Sequence, residues 1–370
     1  MKTKVWIVIW GLKDGGAETL AKDYARLVDR EEFDPTIITM YPFTDTANYQ
    51  RAKAAGIKVA SIFEKRNLLT RMVRIFLGKW YVPFRLKAML KKDRPDTIHF
   101  NSPIAYYFEW LGKQLAGVKL VYTCHNEPDK HFFPKEEATV YEMIHRQGCR
   151  LIALHSDMKQ QLDLRFGIDD TVVIRNGVDL GSFRGERKSK SDILKSVGIS
   201  GDAYVVGHVG RFSQQKNHGF LLKVFREVVN RKQNAHLLLI GSGELQQDVE
   251  QTAQQMGLRD KLTILSHRTD IPDLLNAMDV VIFPSLYEGL SVTLVEAQAS
   301  GLRCVISDSI NSENHLSENT VSVSLDESPE KWAEIALDPS IKNEHFGNID
   351  DYDMNREIRR LEDLYRSRLV

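Results

Sequence analysis

The sequence predicts an α/β protein of two doubly wound, parallel-sheet domains, and three observations carry that prediction. Short β-branched apolar runs recur along the 370 residues, each followed by a stretch with apolar residues at helical spacing. Strands alternating with helices make parallel sheets. The chain is longer than one core usually spans. The runs also fall into two series, on either side of a polar, glycine-containing stretch, VDLGSFRGERKSKSD, that reads as a linker.

In order, the first series is VWIVIW (5–10), TIITM (36–40), KVASIF (58–63), TIHF (97–100), LVYTCH (120–125), LIALH (151–155) and TVVIR (171–175). The second is YVVGHVG (204–210), HLLLIG (236–241), LTILS (262–266), VVIFPS (280–285), CVIS (304–307) and VSVSL (321–325). Two Rossmann-like domains are expected, 1–180 and 181–353. The charged amphipathic segment 354–370, which no strand follows, is expected to pack back on the first as a helix.

Composition narrows the function classes. With 42% hydrophobic and 27% charged residues the chain is an ordinary globular protein rather than a disordered one. Net charge is zero, yet residues 1–178 carry 28 basic against 21 acidic side chains and the remainder 22 against 29. A basic half joined to an acidic half suggests that the halves face different partners. Cys124, Cys149 and Cys304 form neither a disulfide framework nor a zinc pattern, which points to a reducing cytosol. VWIVIW is too short for a signal-peptide core, and no run reaches membrane-spanning length. A cytoplasmic protein, or one peripheral to a membrane, is expected.

Several turns carry candidate chemistry. GLKDGGAETL (11–20) follows the first strand, and Gly15-Gly16 opens a helix whose end is unobstructed; GSGEL (241–245) follows HLLLIG. Either turn could bring backbone N–H groups close to a phosphate or a sugar, or be a tight strand-to-helix turn. GRFSQQKNH (210–218) places Arg211 and Lys216 beyond the first strand of the second domain. A guanidinium that forks onto oxygens, beside an ammonium point charge, suits a diphosphate. In FPSLYEGLSVTLVEAQASG (283–301), Glu288 lies on the loop leaving a strand and Glu296 is expected about two turns inside the next helix. Both therefore belong to the carboxyl-terminal edge of a parallel sheet, where such proteins bind phosphates.

Taken together and in this order, GGAE, HN (125–126), RNGVD (175–179), GRFSQQKN, LIGSGEL and SHRTDIPDLLNAMDVVIFPSLYEGLSVTLVEAQASGL (266–302) resemble the retaining nucleotide-sugar glycosyltransferases of family 4, which have the GT-B fold. The resemblance spans nearly the whole chain. It implies two Rossmann-like domains facing a cleft, with the second binding the donor. Arg211 and Lys216 would bind the donor diphosphate. Glu288 would touch the sugar hydroxyls, with the backbone of Gly289, Leu290, Ser291, Val292 and Thr293 against sugar and phosphate. Glu296 would accept from the ribose hydroxyls, and the backbone at His267 and Arg268 would meet the base. Gly15 and Gly16 would lie under the diphosphate and acceptor, and His125 near the reacting face of the sugar, as a catalytic or a structural group. Leu290-Ser291 replaces the phenylalanine-glycine pair of many members and is closer to those that assemble bacterial capsular and exopolysaccharides.

The implied reaction moves a hexose or N-acetylhexosamine from a nucleotide sugar, with uridine favoured over guanosine, to a hydroxyl of a lipid-linked or cell-surface glycan. The acceptor would attack the face that the diphosphate leaves, so the protein's work is charge stabilisation and orientation. No cofactor and no metal ion are expected. The only Asp-x-Asp, at Asp351 and Asp353, precedes the last helix and reads as a capping stretch. Rival readings are a nucleotide-sugar epimerase of the same fold, a non-catalytic partner subunit that has lost activity, and a nicotinamide-dependent dehydrogenase, for which GSGEL is a poor fingerprint.

Residues 65–94, KRNLLTRMVRIFLGKWYVPFRLKAMLKKDR, carry ten basic side chains and one acid, Asp93, interleaved with Leu68, Leu69, Met72, Ile75, Phe76, Trp80, Phe84, Met89 and Leu90. A basic amphipathic pair of helices broken near Pro83 is expected to lie on an anionic bilayer. The same residues could instead pack in the domain with solvated cations. No RNA-binding module accompanies them, so nucleic acid is not expected.

Overall fold

A computed structural model describes residues 2–13, 15–125, 128, 134–185, 188–266, 268, 270–342 and 347–367. The chain divides into two compact units: residues 1–176 with 355–370, and residues 177–354. Each is an α/β unit on one all-parallel sheet.

Unit 1 contains β1 (Thr3–Ile9), α1 (Gly16–Leu27), β2 (Phe33–Thr39), α2 (Ala47–Ala54), β3 (Lys58–Ser61), α3 (Leu68–Lys92), β4 (Thr97–Phe100), β5 (Lys119–Thr123), α4 (Pro134–Gln147), β6 (Arg150–Ala153), α5 (Ser156–Phe166) and β7 (Val172–Val173). A 3-10 segment, Pro103–Leu115, joins β4 to β5. The seven strands run in the order β3-β2-β1-β4-β5-β6-β7. The order reverses between β1 and β4, so right-handed crossovers put helices on both faces. All seven expected strands are present, with ends displaced by up to three residues, because apolar runs mark a strand better than its last hydrogen bond.

Unit 2 contains α6 (Leu180–Arg184), α7 (Lys190–Ser196), β8 (Tyr204–Val209), α8 (His218–Arg231), β9 (Ala235–Ile240), α9 (Gln246–Gln255), β10 (Leu262–Leu265), α10 (Ile271–Asn276), β11 (Val280–Phe283), α11 (Val292–Ala299), β12 (Arg303–Ser307), β13 (Thr320–Val323) and α12 (Pro329–Leu337). Its six strands run β10-β9-β8-β11-β12-β13, reversing between β8 and β11. The core gathers Val206, Leu237, Leu239, Ile282 and Val305 from the sheet with Leu221, Phe225 and Trp332 from helices. The stretch 178–192 is not a plain linker. Asp179 caps α6, its side chain accepting from the Ser182 N–H, and Ser189 caps α7 in the same way.

The final helix, α13 (Met354–Arg366), is fastened into unit 1 by polar contacts. Lys119 Nζ donates to the carbonyls of Leu364 at 3.0 Å and Tyr365 at 2.8 Å, and to that of Ser367, so a cation caps the helix's negative end. Arg366 forks onto Glu32 at 2.8 and 2.6 Å, and Glu362 accepts from the Asp29 N–H at 2.7 Å. Asp351 and Tyr352 lie in a 3-10 turn, Ile349–Tyr352, ahead of this helix.

The expected helix break in the basic segment is corrected as well. Pro83 does not break the basic segment: α3 is one helix of 25 residues with the proline inside it. Pro83 is buried with Gly78, Val82, Leu86 and Leu90 along one face. That docking outweighs the roughly 3 kcal/mol that an interior proline costs.

Beneath the carboxyl edge of the unit 1 sheet sits a wholly buried histidine. His99 Nδ1 meets the Tyr365 hydroxyl at 2.7 Å and Nε2 meets Thr123 Oγ1 at 2.7 Å, while its ring stacks on Tyr24 at 5.6 Å. Burial, aided by nearby His125, pushes its pKa down to about 3. The folded state thus keeps His99 neutral, whereas the unfolded chain protonates it below about pH 6.5. This stability is present above that pH and lost as pH falls. Between pH 7 and 5 the loss from this one group is about 2 kcal/mol. His99→Gln should therefore lose less stability than the wild type over that interval in denaturant titrations; equal slopes would show that His99 is not the titrating group.

Candidate active site

Parallel strands place all their carboxyl ends on one edge, and ligands of open α/β sheets bind there, beside the strand pair where the order reverses. In unit 2 that pair is β8 and β11. The loop after β8 carries Arg211 and Lys216, and the loop after β11 carries Glu288. The structure brings the last two together: Lys216 Nζ donates to Glu288 Oε1 at 2.6 Å, with the side chains 13% and 9% exposed. Lys216 also lies 4.5 Å from the centre of the Phe283 ring. The two loops are joined again by Gln215, whose Nε2 donates to the Tyr287 carbonyl at 2.9 Å and whose carbonyl accepts from the Leu286 N–H at 2.9 Å.

Arg211 is placed differently. It is exposed and pairs with Glu244 at 3.0 Å. Glu244 belongs to the GSGEL turn, and its carboxyl is held below the usual range by its own backbone N–H and by Arg211. The glycines of that turn have a clear reason. A Cβ on Gly241, at φ +150°, would overlap the Gly210 carbonyl oxygen, and one on Gly243 would overlap the Phe212 backbone. Only bare backbone lets the loops after β8 and β9 lie against one another, where Phe212 N–H donates to the Ser242 carbonyl at 3.2 Å and Leu245 N–H to that of Phe212 at 3.0 Å.

Glu296 is the fifth residue of α11 and half-buried, a little over one turn inside the helix rather than two. The helix starts late because Asn314, wholly buried, holds the preceding turn extended. Its Oδ1 accepts from the Ser291 N–H at 2.9 Å and its Nδ2 donates to the Gly289 carbonyl at 2.9 Å. Val292 and Thr293 form the first turn. Gln298, on the buried face of α11, completes the frame: its Nε2 donates to the Asn314 carbonyl at 2.8 Å and its Oε1 accepts from Leu316 N–H at 2.7 Å and Thr320 Oγ1 at 2.7 Å. Arg268 forks onto Asp270 at 2.8 and 2.5 Å, leaving its backbone as the part available to a base. His267 lies outside the described residues.

Beneath these loops His208 and His218 are packed in apolar surroundings. His208 stacks on Phe283 at 4.9 Å and His218 on Phe212 at 4.5 Å. Burial, with nearby Lys216, pushes the His218 pKa down to about 4. Neutral rings keep this layer free of charge below Lys216.

In unit 1, Gly15 is the residue before α1, with extended backbone and no side-chain cap, and a Cβ on Gly16 would meet open space. His125 follows β5, half-buried, its Nε2 3.0 Å from Asn101 Oδ1. Asn101 follows β4, the strand beside β1 where the order reverses. These residues stand on one edge of unit 1, and those named above on one edge of unit 2.

Gln215, Glu244, Gln298 and Asn314 were not singled out from sequence. Gln298 left a trace, a polar residue on an otherwise apolar helix face; Asn314 left none. Asn314→Ala should destabilise unit 2 by about 3 kcal/mol, since a buried N–H and C=O lose their partners together. Urea unfolding checks this, and a change under about 0.5 kcal/mol would mean that water or another group replaces the amide.

Comparison with known proteins agrees with this architecture. A family described as Glycosyltransferase Family 4 matches residues 14–182, and one described as Glycosyl transferases group 1 matches residues 189–344. EpsF of Bacillus subtilis (strain 168), named a glycosyltransferase, is 30% identical over 342 residues, covering 90% of this chain and 86% of its own. An Escherichia coli UDP-Gal:alpha-D-GlcNAc-diphosphoundecaprenol alpha-1,3-galactosyltransferase is 29% identical over 317 residues, covering 82% and 79%. Among solved structures, Anabaena Alr3699/HepE in complex with UDP and glucose superposes with a TM-score of 0.78 at 20% identity, over 98% of this chain and 99% of that one. Given a relative this similar across nearly its whole length, and a match in each unit, the chain belongs to the family 4, group 1 glycosyltransferases and is a transferase of the GT-B fold.

Proposed function

We propose that this enzyme transfers a hexose or N-acetylhexosamine from a UDP-sugar, with retention, to a hydroxyl of a lipid-linked glycan in polysaccharide assembly. The observation that carries the donor reading is the shielded Lys216–Glu288 contact at the β8/β11 edge. Glu288 Oε1 takes Lys216, and Oε2 meets no donor among the described residues. One oxygen is thus fixed while the other can accept from a sugar hydroxyl. Arg211 and Lys216 supply positive charge for the leaving diphosphate. Glu296, one turn into α11, supplies an acceptor for ribose hydroxyls. Uridine is favoured because the Anabaena neighbour is a UDP complex and the Escherichia coli relative is named for UDP-Gal. The latter's named diphosphoundecaprenol acceptor likewise favours a lipid-linked one here. Protein cations suffice for the diphosphate in this reading, with no divalent ion.

Thermal unfolding with UDP, GDP and ADP, all in excess chelator, tests the donor reading. UDP at about 100 times its Kd should add roughly 2.7 kcal/mol to unit 2, a rise of several degrees. Glu296→Ala should abolish most of it. A shift with GDP alone reverses the nucleotide assignment, and a shift that needs a divalent ion removes the metal-free reading.

We also propose that α3 rests on an anionic membrane, at the inner face of the cell membrane. No helix among the described residues is long and apolar enough to cross a bilayer. Besides its docked residues, however, α3 presents Leu68, Met72, Phe76, Trp80 and Phe84 at four-residue spacing, each 46% to 72% exposed. Such a stripe is large for a solvated surface and is flanked by Arg71, Lys79 and Lys87. Phe76→Ser/Trp80→Ser/Phe84→Ser should no longer float with phosphatidylglycerol vesicles; flotation equal to the wild type would remove the membrane role.

A further inference from the structure

A second cluster of chemistry stands on unit 1, on the loop that leads to Gly15 and Gly16 and on the loops beside it. The loops leaving β1, β2 and β3 emerge on the same edge of the parallel sheet and, with Tyr81 of α3, bring four aromatic rings into contact, with a fifth, Phe43, beside them at Gly11. Trp10 meets Tyr41 edge-on at 6.3 Å, Tyr41 stacks on Phe63 at 5.1 Å, and Phe63 stacks on Tyr81 of α3 at 5.0 Å. Phe43 lies against Gly11, where a Cβ would collide with its ring. The loops are stitched as well as stacked. Asn48 Nδ2 donates to the Lys13 carbonyl at 2.7 Å, and Thr46 Oγ1 donates to that of Leu12.

Three cations sit on this platform. The Arg66 guanidinium lies 4.5 Å and the Lys13 ammonium 5.3 Å from the centre of the Phe43 ring, and the Arg74 guanidinium lies 5.2 Å from that of Trp10. Among the described residues no carboxylate pairs with any of them, and Arg74 Nε is buried without a hydrogen-bond partner. Two other cations of this region are paired: Lys58 holds Asp34 at 2.9 Å and Arg85 holds Glu64 at 3.4 Å. Lys13 and Arg66, like charges on one ring, repel, and each of the three cations pays part of its hydration to lie on an aromatic face. A polyanion relieves both costs. A guanidinium stacked on a ring also keeps its in-plane N–H fork free, the geometry that phosphate oxygens accept. The cations cover ring faces on which a neutral sugar would otherwise stack.

We propose that Lys13, Arg66 and Arg74 form a binding site for a diphosphate, the group that links the acceptor glycan to its lipid. The proposal deepens the reading above by giving the acceptor's charge, and it rests on that reading only for the identity of the diphosphate's owner.

Inorganic diphosphate titrated calorimetrically into the full chain at 0.15 M salt tests it. The wild type should bind in two classes of site. Arg66→Gln/Arg74→Gln should weaken one class at least ten-fold and spare the other, whereas Arg211→Ala/Lys216→Ala should do the reverse. Arg66→Lys/Arg74→Lys, which keeps charge and loses the forks, should fall between. Should the half-buried Arg74 position not tolerate glutamine, Lys13→Gln/Arg66→Gln, both exposed, gives the same reading. A wild-type isotherm in the Arg66 and Arg74 variant overturns the proposal. A wild-type isotherm in the Arg211 and Lys216 variant instead overturns the donor reading and leaves this one standing. A short-chain alkyl diphosphate and phosphatidylglycerol vesicles separate the sources. Loss of the alkyl diphosphate with vesicle flotation unchanged assigns the site to an acceptor. Loss of flotation with both diphosphates bound normally assigns the cations to lipid headgroups and overturns it.

Discussion

One shielded charge pair holds the candidate site of unit 2 in its shape. Lys216 and Glu288, 2.6 Å apart, come from loops that follow different strands. In open water such a contact would contribute little. Shielded as it is, removal of either partner would strand the other charge, which typically costs about 3–5 kcal/mol. The loops after β8 and β11 are therefore fastened to each other. Next to the pair, Asn314 holds the Gly289–Ser291 turn extended, and with it the late start of α11 and the height of Glu296 on that helix.

The pair is possible because backbones approach closely around it. Gly241 and Gly243 admit the loop after β8 against the loop after β9, and Glu244 from that same turn takes Arg211. Two cations drawn as equals from the sequence thus have different surroundings. Lys216 is shielded and committed to a carboxylate beside an aromatic ring. Arg211 is exposed on a surface ion pair that an incoming polyanion can displace at small cost. The uncharged His208 and His218 below complete the contrast, because a charged imidazole there would add repulsion to Lys216.

Unit 1 solves the opposite problem. Three cations there, Lys13, Arg66 and Arg74, lie on aromatic rings and pair with no carboxylate among the described residues. Its longest helix buries Gly78, Val82, Pro83, Leu86 and Leu90 while leaving Leu68, Met72, Phe76, Trp80 and Phe84 uncovered. The basic excess of the first half is thereby concentrated along α3 and the loops beside it. The buried contacts of α13, with Lys119 at its carboxyl end and Tyr365 against His99, hold the sheet beneath these loops.

The strands, the order of the motifs and the eight-residue spacing of Glu288 and Glu296 were legible in the sequence. Each depends on residue type within a short window: β-branched runs form buried strands, and glycines open turns. Pro83 was misjudged because its local cost is opposed by packing that no window contains. The frame of the site was invisible for a related reason. Gln215 and Tyr287 are 72 positions apart and Asn314 and Gly289 are 25 apart. An amide that satisfies a distant backbone looks like any surface amide until the sheet closes. The sequence by itself determined the strands and which charged groups follow them. Only the tertiary structure decided which of them are paired, shielded or exposed, because hydrogen bonds and burial are properties of neighbours in space.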